Sequence, residues 1–262
     1  MNSVQFTAES ITADGLRERD FTVAGVPGVL WSPADSTDST SRTGRAPLVL
    51  MGHGGGTHKK WPGMTGRAER LVRAGGFHVA VIDAPGHNGR PLSADDEREV
   101  AALRQAMTAG EPVGPIVVRH NARIAERAVP EWRATLDALQ QLPEIGPDGP
   151  VGYFGLNMGT AIGIPLIADE PRITAAVLGM FWPDTVADTA ARITVPVQYA
   201  LQWDDEHIPR AAGLALFDAI GSREKTLHAN TGRHKEVPRF EADSAVAFFT
   251  RHLSRPAPVP VP

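Results

Sequence analysis

The stretch VGYFGLNMG at residues 151–159 decides the fold. Its first four residues form a short apolar run, typical of a strand covered on both faces, and the apolar segment that follows predicts a helix. Glycines at positions 155 and 159 permit a strained turn between the two elements. The segment therefore predicts a strand, a sharp turn and a helix, with the side chain of Asn157 lifted over the end of a sheet.

Further short apolar runs on both sides of this segment predict the rest of the sheet. They lie at residues 47–51, 79–82, 175–181, 195–201 and 225–229, with a hairpin at 20–33. Helices are predicted at residues 63–74, 121–142 and 239–252, and Pro130 should break or kink the second of these. Strands that alternate with helices at this spacing imply right-handed crossovers. The pattern predicts an α/β protein with a doubly wound, mostly parallel sheet.

The chain is predicted to be a single domain over residues 1–253. Its 262 residues, of which 42% are hydrophobic, are enough for one large core. Residues 35–45 are rich in Ser and Thr and predict a mobile surface loop, and residues 254–262 predict a disordered, proline-rich tail. Residues 88–118 show no periodicity and leave the end of a strand, so we expect a lid-like excursion over a pocket.

Composition excludes several classes of function. The net charge of −4 gives no basic excess for nucleic acid or an anionic membrane. Cysteine is absent, which excludes disulfides, thiolate catalysis and zinc–thiolate sites. No run approaches the roughly 20 apolar residues of a membrane span, and the polar N-terminus does not resemble a signal peptide. These features predict a cytoplasmic protein, monomeric or homodimeric, that acts on a small molecule.

A glycine-rich loop follows the predicted strand at residues 47–51. Consecutive glycines after His53 let backbone N–H groups converge on one point, as an oxyanion requires. The Met158 N–H would supply the other donor. A phosphate loop is disfavoured because no G-x-x-x-x-G-K-[ST] pattern follows. We predict no metal and no cofactor, because the glycine loop explains His53 without a metal.

A candidate acid and a candidate base follow two later strands. Asp205 lies after the strand at 195–201, and we choose it over Asp204 because of its spacing to Pro209. His234 follows the strand at 225–229 and is the natural general base. A carboxylate at the end of a strand can orient an imidazole. The order 157, 205, 234 is that of nucleophile, acid and base.

These motifs resemble those of the α/β-hydrolase superfamily. The His-Gly-Gly-Gly loop and short core are similar to dienelactone-hydrolase-like esterases, and residues 83–87 resemble the loop after an early strand of the superfamily. The resemblance implies an eight-stranded, mostly parallel sheet with a pocket at its C-terminal edge. It implies Asp205 and His234 as triad partners, with Gly54, Gly55 and Met158 near the oxyanion site. Asn157 departs from the pattern, which has a nucleophilic serine at this position.

Asparagine at position 157 leaves several functions open, because a carboxamide is a poor nucleophile. The chain could be an esterase- or lactonase-type hydrolase whose acyl-enzyme chemistry is absent or impaired, with residual catalysis of roughly 10³-fold over water. It could be a non-acylating lyase, cyclase or water-activating hydrolase in which His234 and Asp205 form a general base. A nucleophilic aspartate, trapped here as its amide, would resemble the epoxide hydrolases of this fold, which use tyrosines of a cap domain as acids. This alternative is disfavoured, because Tyr153 and Tyr199 both lie in predicted core strands. A catalytically silent binding protein is the alternative from another class.

Aromatic residues are predicted at the active edge of the sheet. Trp61 follows the glycine loop, and Trp182 and Trp203 each follow a strand. They favour a small, partly apolar or aromatic substrate. We expect His53 and His87 to contact this substrate as well.

Overall fold

The computed structural model describes residues 3–13, 15–34 and 47–253. The loop predicted at 35–45 and the tail predicted at 254–262 lie outside the described residues. The strands are β1 (Gln5–Ile11), β2 (Leu16–Val23), β3 (Val26–Pro33), β4 (Leu48–Gly52), β5 (His78–Ile82), β6 (Val151–Gly155), β7 (Ile173–Gly179), β8 (Val197–Gln202) and β9 (Lys225–Asn230). The helices are α1 (Pro62–Gly75), α2 (Ala94–Ala109), α3 (Gly114–Leu139), α4 (Met158–Asp169), α5 (Ala187–Ala190), α6 (Arg210–Ala219) and α7 (Phe240–Leu253).

The strands form one mixed sheet in the order β1-β2-β3-β5-β4-β6-β7-β8-β9. The strands β4 to β9 all run parallel to one another. The strands β1, β2 and β3 are antiparallel to their neighbours and extend the sheet beyond β5. The doubly wound α/β class is confirmed, but the expected count of eight strands is corrected to nine among the described residues. The additional strand is β1, which lies at the edge with every residue exposed. An edge strand that covers no core carries no apolar pattern, so the sequence did not reveal it.

Helices cover both faces of the sheet and give two apolar layers. The helices α1 and α7 pack together on one face, and α3 and α4 pack on the other. Every residue of β4, β5 and β6 is buried between these layers. This double burial explains why the central strands are continuous apolar runs rather than alternating ones.

The predicted irregular excursion at 88–118 is mostly helical, which corrects that expectation. It contains α2 and the first turn of α3. Ser93 and Asp96 form a capping box at the start of α2, and Arg127 of α3 donates two hydrogen bonds of 2.8 Å to the buried Asp96 carboxylate. Those bonds hold the pKa of Asp96 well below its ordinary value. Ion pairing rather than an apolar stripe attaches α2, so the helix has little hydrophobic periodicity.

The helix α3 is longer than predicted and continuous. Pro130 lies inside it, so the expected break does not occur. The loss of one backbone N–H is tolerated because several α3 side chains are buried in the core. No helix within the described ranges is both long and apolar enough to cross a membrane.

Candidate active site

The turn between β6 and α4 holds Asn157 in a strained conformation. Asn157 has φ 56° and ψ −119°, and α4 begins at the next residue. A Cβ atom at Gly155 would lie 2.4 Å from the carbonyl oxygen of Gly159, and a Cβ at Gly159 would lie 2.5 Å from the carbonyl oxygen of Gly52. Both positions therefore require glycine, and the turn lifts the side chain at position 157 beyond the sheet.

Replacing Gly159 by alanine should destabilise the protein by about 1–3 kcal/mol or more, because the new methyl group meets backbone atoms that cannot move aside. Urea unfolding of Gly159→Ala against the unmodified protein measures this change. Gly66→Ala is the matched control, since a Cβ there meets nothing within 4 Å inside α1. The free energy of unfolding of this control should rise by up to about 1 kcal/mol, because alanine favours the helix more than glycine does. Equal effects at the two sites would contradict the close approach at the turn.

His234 and Asp205 form a partly buried hydrogen-bonded pair beside Asn157. The His234 Nδ1 atom lies 2.7 Å from Asp205 Oδ2. Asp205 Oδ1 accepts the backbone N–H groups of His207 at 2.8 Å and Ile208 at 2.9 Å. Burial alone would raise the pKa of Asp205, but the bonds from His234 and from these amides outweigh burial and lower the pKa below its ordinary value. The carboxylate is thus charged and fully hydrogen-bonded at neutral pH.

The backbone of the histidine loop is also fixed. The backbone N–H of His234 donates to Glu206 Oε2 at 2.8 Å, and Gln202 Nε2 donates to the Arg233 carbonyl at 3.1 Å. Sequence reasoning did not identify Glu206 or Gln202, although both flank the predicted acid. They hold the loop from which the imidazole projects.

Asn157 contacts the remaining nitrogen of the imidazole. Its Nδ2 atom lies 2.8 Å from His234 Nε2. Because Nδ1 faces the Asp205 carboxylate, the proton of the neutral ring belongs on Nδ1 and Nε2 is the acceptor. The carboxamide then donates to the lone pair that would otherwise accept a proton. The three residues predicted as a triad are therefore joined in one chain of hydrogen bonds.

His53 holds the glycine loop from inside. It is 2% exposed, its Nδ1 lies 2.9 Å from the Gly54 carbonyl, and its Nε2 accepts the Ala84 amide at 2.9 Å. Both ring nitrogens are occupied by backbone groups, so His53 offers no free nitrogen to a substrate. The expectation that His53 binds substrate is corrected to a positioning role.

His87 makes the reciprocal contact from the neighbouring loop. Its Nδ1 lies 3.0 Å from the Pro85 carbonyl, and its Nε2 accepts the Gly56 amide at 3.3 Å. The His87 and His53 rings meet edge to face with centroids 5.1 Å apart. His87 therefore also supports the glycine loop; its ring is half-buried, and its contact with substrate stays a prediction. The sequence could not reveal this supporting role, because the two imidazoles bond to backbone groups of a loop that is distant in the chain.

Stability should fall in acid because His53 is buried as a neutral ring. Burial lowers its pKa from 6.5 to about 4, so the unfolded chain binds a proton between these values and the folded chain does not. The free energy of unfolding should therefore fall by up to about 3 kcal/mol from this group as the pH drops from about 6.5 to 4. Urea unfolding at several pH values should show a shallower acid slope in His53→Gln. Identical slopes in the unmodified protein and in His53→Gln would contradict the assignment.

The amides predicted for an oxyanion lie on adjacent loops. The strands β4 and β6 are parallel neighbours in register, with Gly52 opposite Gly155. Gly54 and Gly55 follow one strand, and Met158 follows the other as the first residue of α4. The backbone N–H groups in the first turn of a helix have no acceptor within that helix. The Met158 N–H can therefore donate to a ligand. The topology thus brings the two predicted donor segments to one edge.

The predicted aromatic residues do not share one environment. Trp182 belongs to the buried core, packs edge-on against Phe181 and lies beside the start of α3, and its contact with substrate stays a prediction. Trp61 is 47% exposed and Trp203 is 38% exposed. The guanidinium of Arg210 stacks 3.8 Å from the Trp203 ring centre. Trp61 and Trp203 remain accessible aromatic surfaces near the glycine loop and the acid loop, respectively.

Two further features bear on ligands. Across residues 3–13, 15–34 and 47–253, no three His, Asp or Glu side chains are grouped as metal ligands would be. A cavity of about 610 Å³ lies between α1 and α7, and neither Asn157, Asp205 nor His234 lines it. Sequence reasoning missed this cavity because its walls come from five separate segments.

Comparisons with solved structures identify the family. A cold-adapted esterase from an Arctic intertidal metagenomic library, in complex with polyethylene glycol, is 34% identical with a TM-score of 0.70, and the match covers 95% of this chain and 99% of that chain. Dienelactone hydrolase from Anabaena variabilis is 20% identical (TM-score 0.60, 96% and 99% covered), and acetyl xylan esterase from a Thermoanaerobacterium species is 17% identical (TM-score 0.60, 96% and 88% covered). These last two show the fold alone. No protein-family model and no curated protein matches the chain.

The chain belongs to the family of the cold-adapted esterase, within the α/β-hydrolase superfamily. Its neighbours support an esterase-type function.

Proposed function

We propose that this chain is an esterase- or lactonase-type hydrolase scaffold for a small, partly apolar or aromatic substrate, in which Asn157 replaces the nucleophilic serine. Asn157 cannot form an acyl-enzyme as serine does, because its amide nitrogen lone pair is delocalised. Acyl-enzyme chemistry of the serine type is therefore absent or impaired. The amides of Gly54, Gly55 and Met158 are proposed to bind the carbonyl oxygen of the substrate.

One observation carries the proposal: the hydrogen-bond chain from Asp205 through His234 to Asn157, with distances of 2.7 Å and 2.8 Å. A buried carboxylate that orients an imidazole has a catalytic use, since it stabilises the imidazolium that forms when the ring accepts a proton. A protein that only binds a ligand has no need of this pair. The side chain that contacts the imidazole, Asn157, is however a hydrogen-bond donor and not a nucleophile.

The same pair favours a second candidate, a reaction in which His234 acts as a general base on water. The tautomer set by Asp205 leaves the Nε2 lone pair directed at residue 157. If the Asn157 amide moves aside or donates to the substrate, Nε2 can accept a proton from a water molecule that attacks the carbonyl carbon. The proton then passes from imidazolium to the leaving group, and the ester is cleaved without a covalent intermediate.

Hydrolysis of p-nitrophenyl acetate by the unmodified protein, His234→Ala and Asn157→Ala tests these mechanisms. Water activation predicts slow turnover with no burst, a loss of about 10²-fold or more in His234→Ala, and activity that Asn157→Ala retains or increases. Activity that both substitutions abolish would instead assign Asn157 an essential role. Turnover that is unaffected by His234→Ala would contradict catalysis by the pair and favour the binding protein.

A further inference from the structure

A cavity outside the triad has the composition of a ligand site. It occupies about 610 Å³ between the first half of α1 and the start of α7, over strands β6, β7 and β8. Its apolar walls are Phe154, Leu156, Val177, Ala200, Val237 and Pro238. Leu156 precedes Asn157 in the chain, so the cavity lies next to the turn that carries the triad position. Six polar side chains also line the cavity: Arg67, Arg70, Gln198, Arg239, Glu241 and Asp243.

Arg67 is a cation without a carboxylate partner in the part of the chain that the structure describes. Its Nη1 donates to the Gly63 carbonyl at 3.2 Å, and its guanidinium lies 5.8 Å from the centre of the Phe154 ring. Burial lowers the pKa of Arg67, and no acidic group opposes that effect. A partly buried guanidinium with free donors is costly unless an anion binds to it.

The acidic residues that line the cavity are already paired elsewhere. Glu241 Oε2 lies 2.9 Å from His228 Nδ1, and Glu241 Oε1 accepts from Asn230 at 2.9 Å. Asp243 pairs with Arg70 at the rim. Neither carboxylate is paired with Arg67, so its guanidinium remains available to a ligand.

Gln198 supplies a second donor group. It lies on β8 and lines the cavity, yet it is only 3% exposed. Its Nε2 has no hydrogen-bond partner among the described residues. Buried amide donors are nearly always bonded, and an unsatisfied one costs about 1–3 kcal/mol. An acceptor on a bound molecule would remove this cost.

We infer that the cavity binds a small carboxylate with an apolar body, with the carboxylate held by Arg67 and Gln198 and the body packed among the apolar walls. The planar guanidinium matches a carboxylate in a bidentate pair, and the carboxamide adds one neutral donor. Aliphatic and aromatic walls with a few convergent polar groups are typical of sites for small organic molecules. The inference stands whether or not the protein cleaves esters, because the cavity shares no residue with the proposed triad.

Titration calorimetry with benzoate tests the site. The unmodified protein should bind benzoate, Arg67→Met should weaken binding at least tenfold, and Gln198→Leu should weaken it severalfold. Arg73→Met is the matched control, because Arg73 is an exposed arginine of the same helix that does not line the cavity. Arg73→Met and His234→Ala should both retain the original affinity. Binding that is lost in His234→Ala but kept in Arg67→Met would place benzoate at the triad and overturn the inference, as would no binding to the unmodified protein.

Thermal unfolding provides a second measurement on the same proteins. Without ligand, Arg67→Met should unfold at the same or a higher temperature, because it removes an uncompensated charge. Benzoate should raise the unfolding temperature of the unmodified protein and not that of Arg67→Met. Arg67→Lys keeps the charge but not the planar fork, and it should bind benzoate more weakly while remaining folded. Full affinity in both Arg67 variants would overturn the inference.

Discussion

The variant Asn157→Ser should hydrolyse p-nitrophenyl acetate about 10³-fold faster than the unmodified protein, with an initial burst from acyl-enzyme formation. The Asp205–His234 pair is already in place, and His234 Nε2 already receives a hydrogen bond from the side chain at position 157. A serine Oγ is one bond closer to the backbone than the asparagine Nδ2, so the imidazole must approach the turn slightly. Catalytic hydrogen bonds in unliganded enzymes are often long and tighten with substrate.

Two controls separate acyl-enzyme catalysis from general effects of the substitution. Asn157→Ala removes the amide without supplying a nucleophile and should show no burst. Adding His234→Ala to Asn157→Ser should remove both the burst and the gain in rate, because the serine would lose its base. Asn157→Asp tests for an aspartate nucleophile with the shape of the present side chain. A folded Asn157→Ser protein with neither burst nor gain would rule out the proposed oxyanion site and triad.

In the Asn157→Ser background, Asp205→Asn should reduce kcat by roughly 10³- to 10⁴-fold. Two backbone amides, from His207 and Ile208, donate to Oδ1 and would hold the oxygen of the new carboxamide at that position. Its NH₂ group would then face His234 Nδ1, which must become the acceptor. The ring proton would move to Nε2, and the base would be unable to accept a proton from serine.

Asp204→Asn is the matched control for this effect. Asp204 is the neighbouring carboxylate, and its Oδ2 accepts only a long hydrogen bond of 3.4 Å from the Gly232 amide. Steady-state kinetics of both double variants should show a change of less than about threefold for Asp204→Asn. Similar losses in the two proteins would mean that the loop as a whole, and not the orientation of His234, controls the rate.

The sequence predicted the central sheet well because burial on both faces leaves a simple pattern. The runs at 47–51, 79–82 and 151–154 match β4, β5 and β6 closely. Two elements escaped prediction for physical reasons. The strand β1 lies at the edge and covers no core, and α2 is attached by Asp96–Arg127 hydrogen bonds rather than by an apolar stripe.

The site was predictable where it depends on chain order and not where it depends on contacts between loops. Asp205 and His234 each follow a strand of the parallel sheet, and the order of these strands predicts that the two side chains lie close together. The roles of His53 and His87 depend on backbone groups of a loop about 30 residues away in sequence, and no local pattern encodes such bonds. Arg67 and Gln198 likewise have donors available to one ligand only because α1 and β8 line the same cavity, and the sequence does not show this arrangement.

The backbone conformation of the strained turn at Asn157 does not depend on which side chain stands at position 157. The backbone there is held by glycines at 155 and 159 and by the Asn157 amide bonded to the Gly179 carbonyl, none of which involves the side chain at 157. A change of one side chain at this position can therefore alter the reaction while the architecture stays the same. Descendants of one ancestral hydrolase could gain or lose covalent catalysis through a single codon, with little cost in folding.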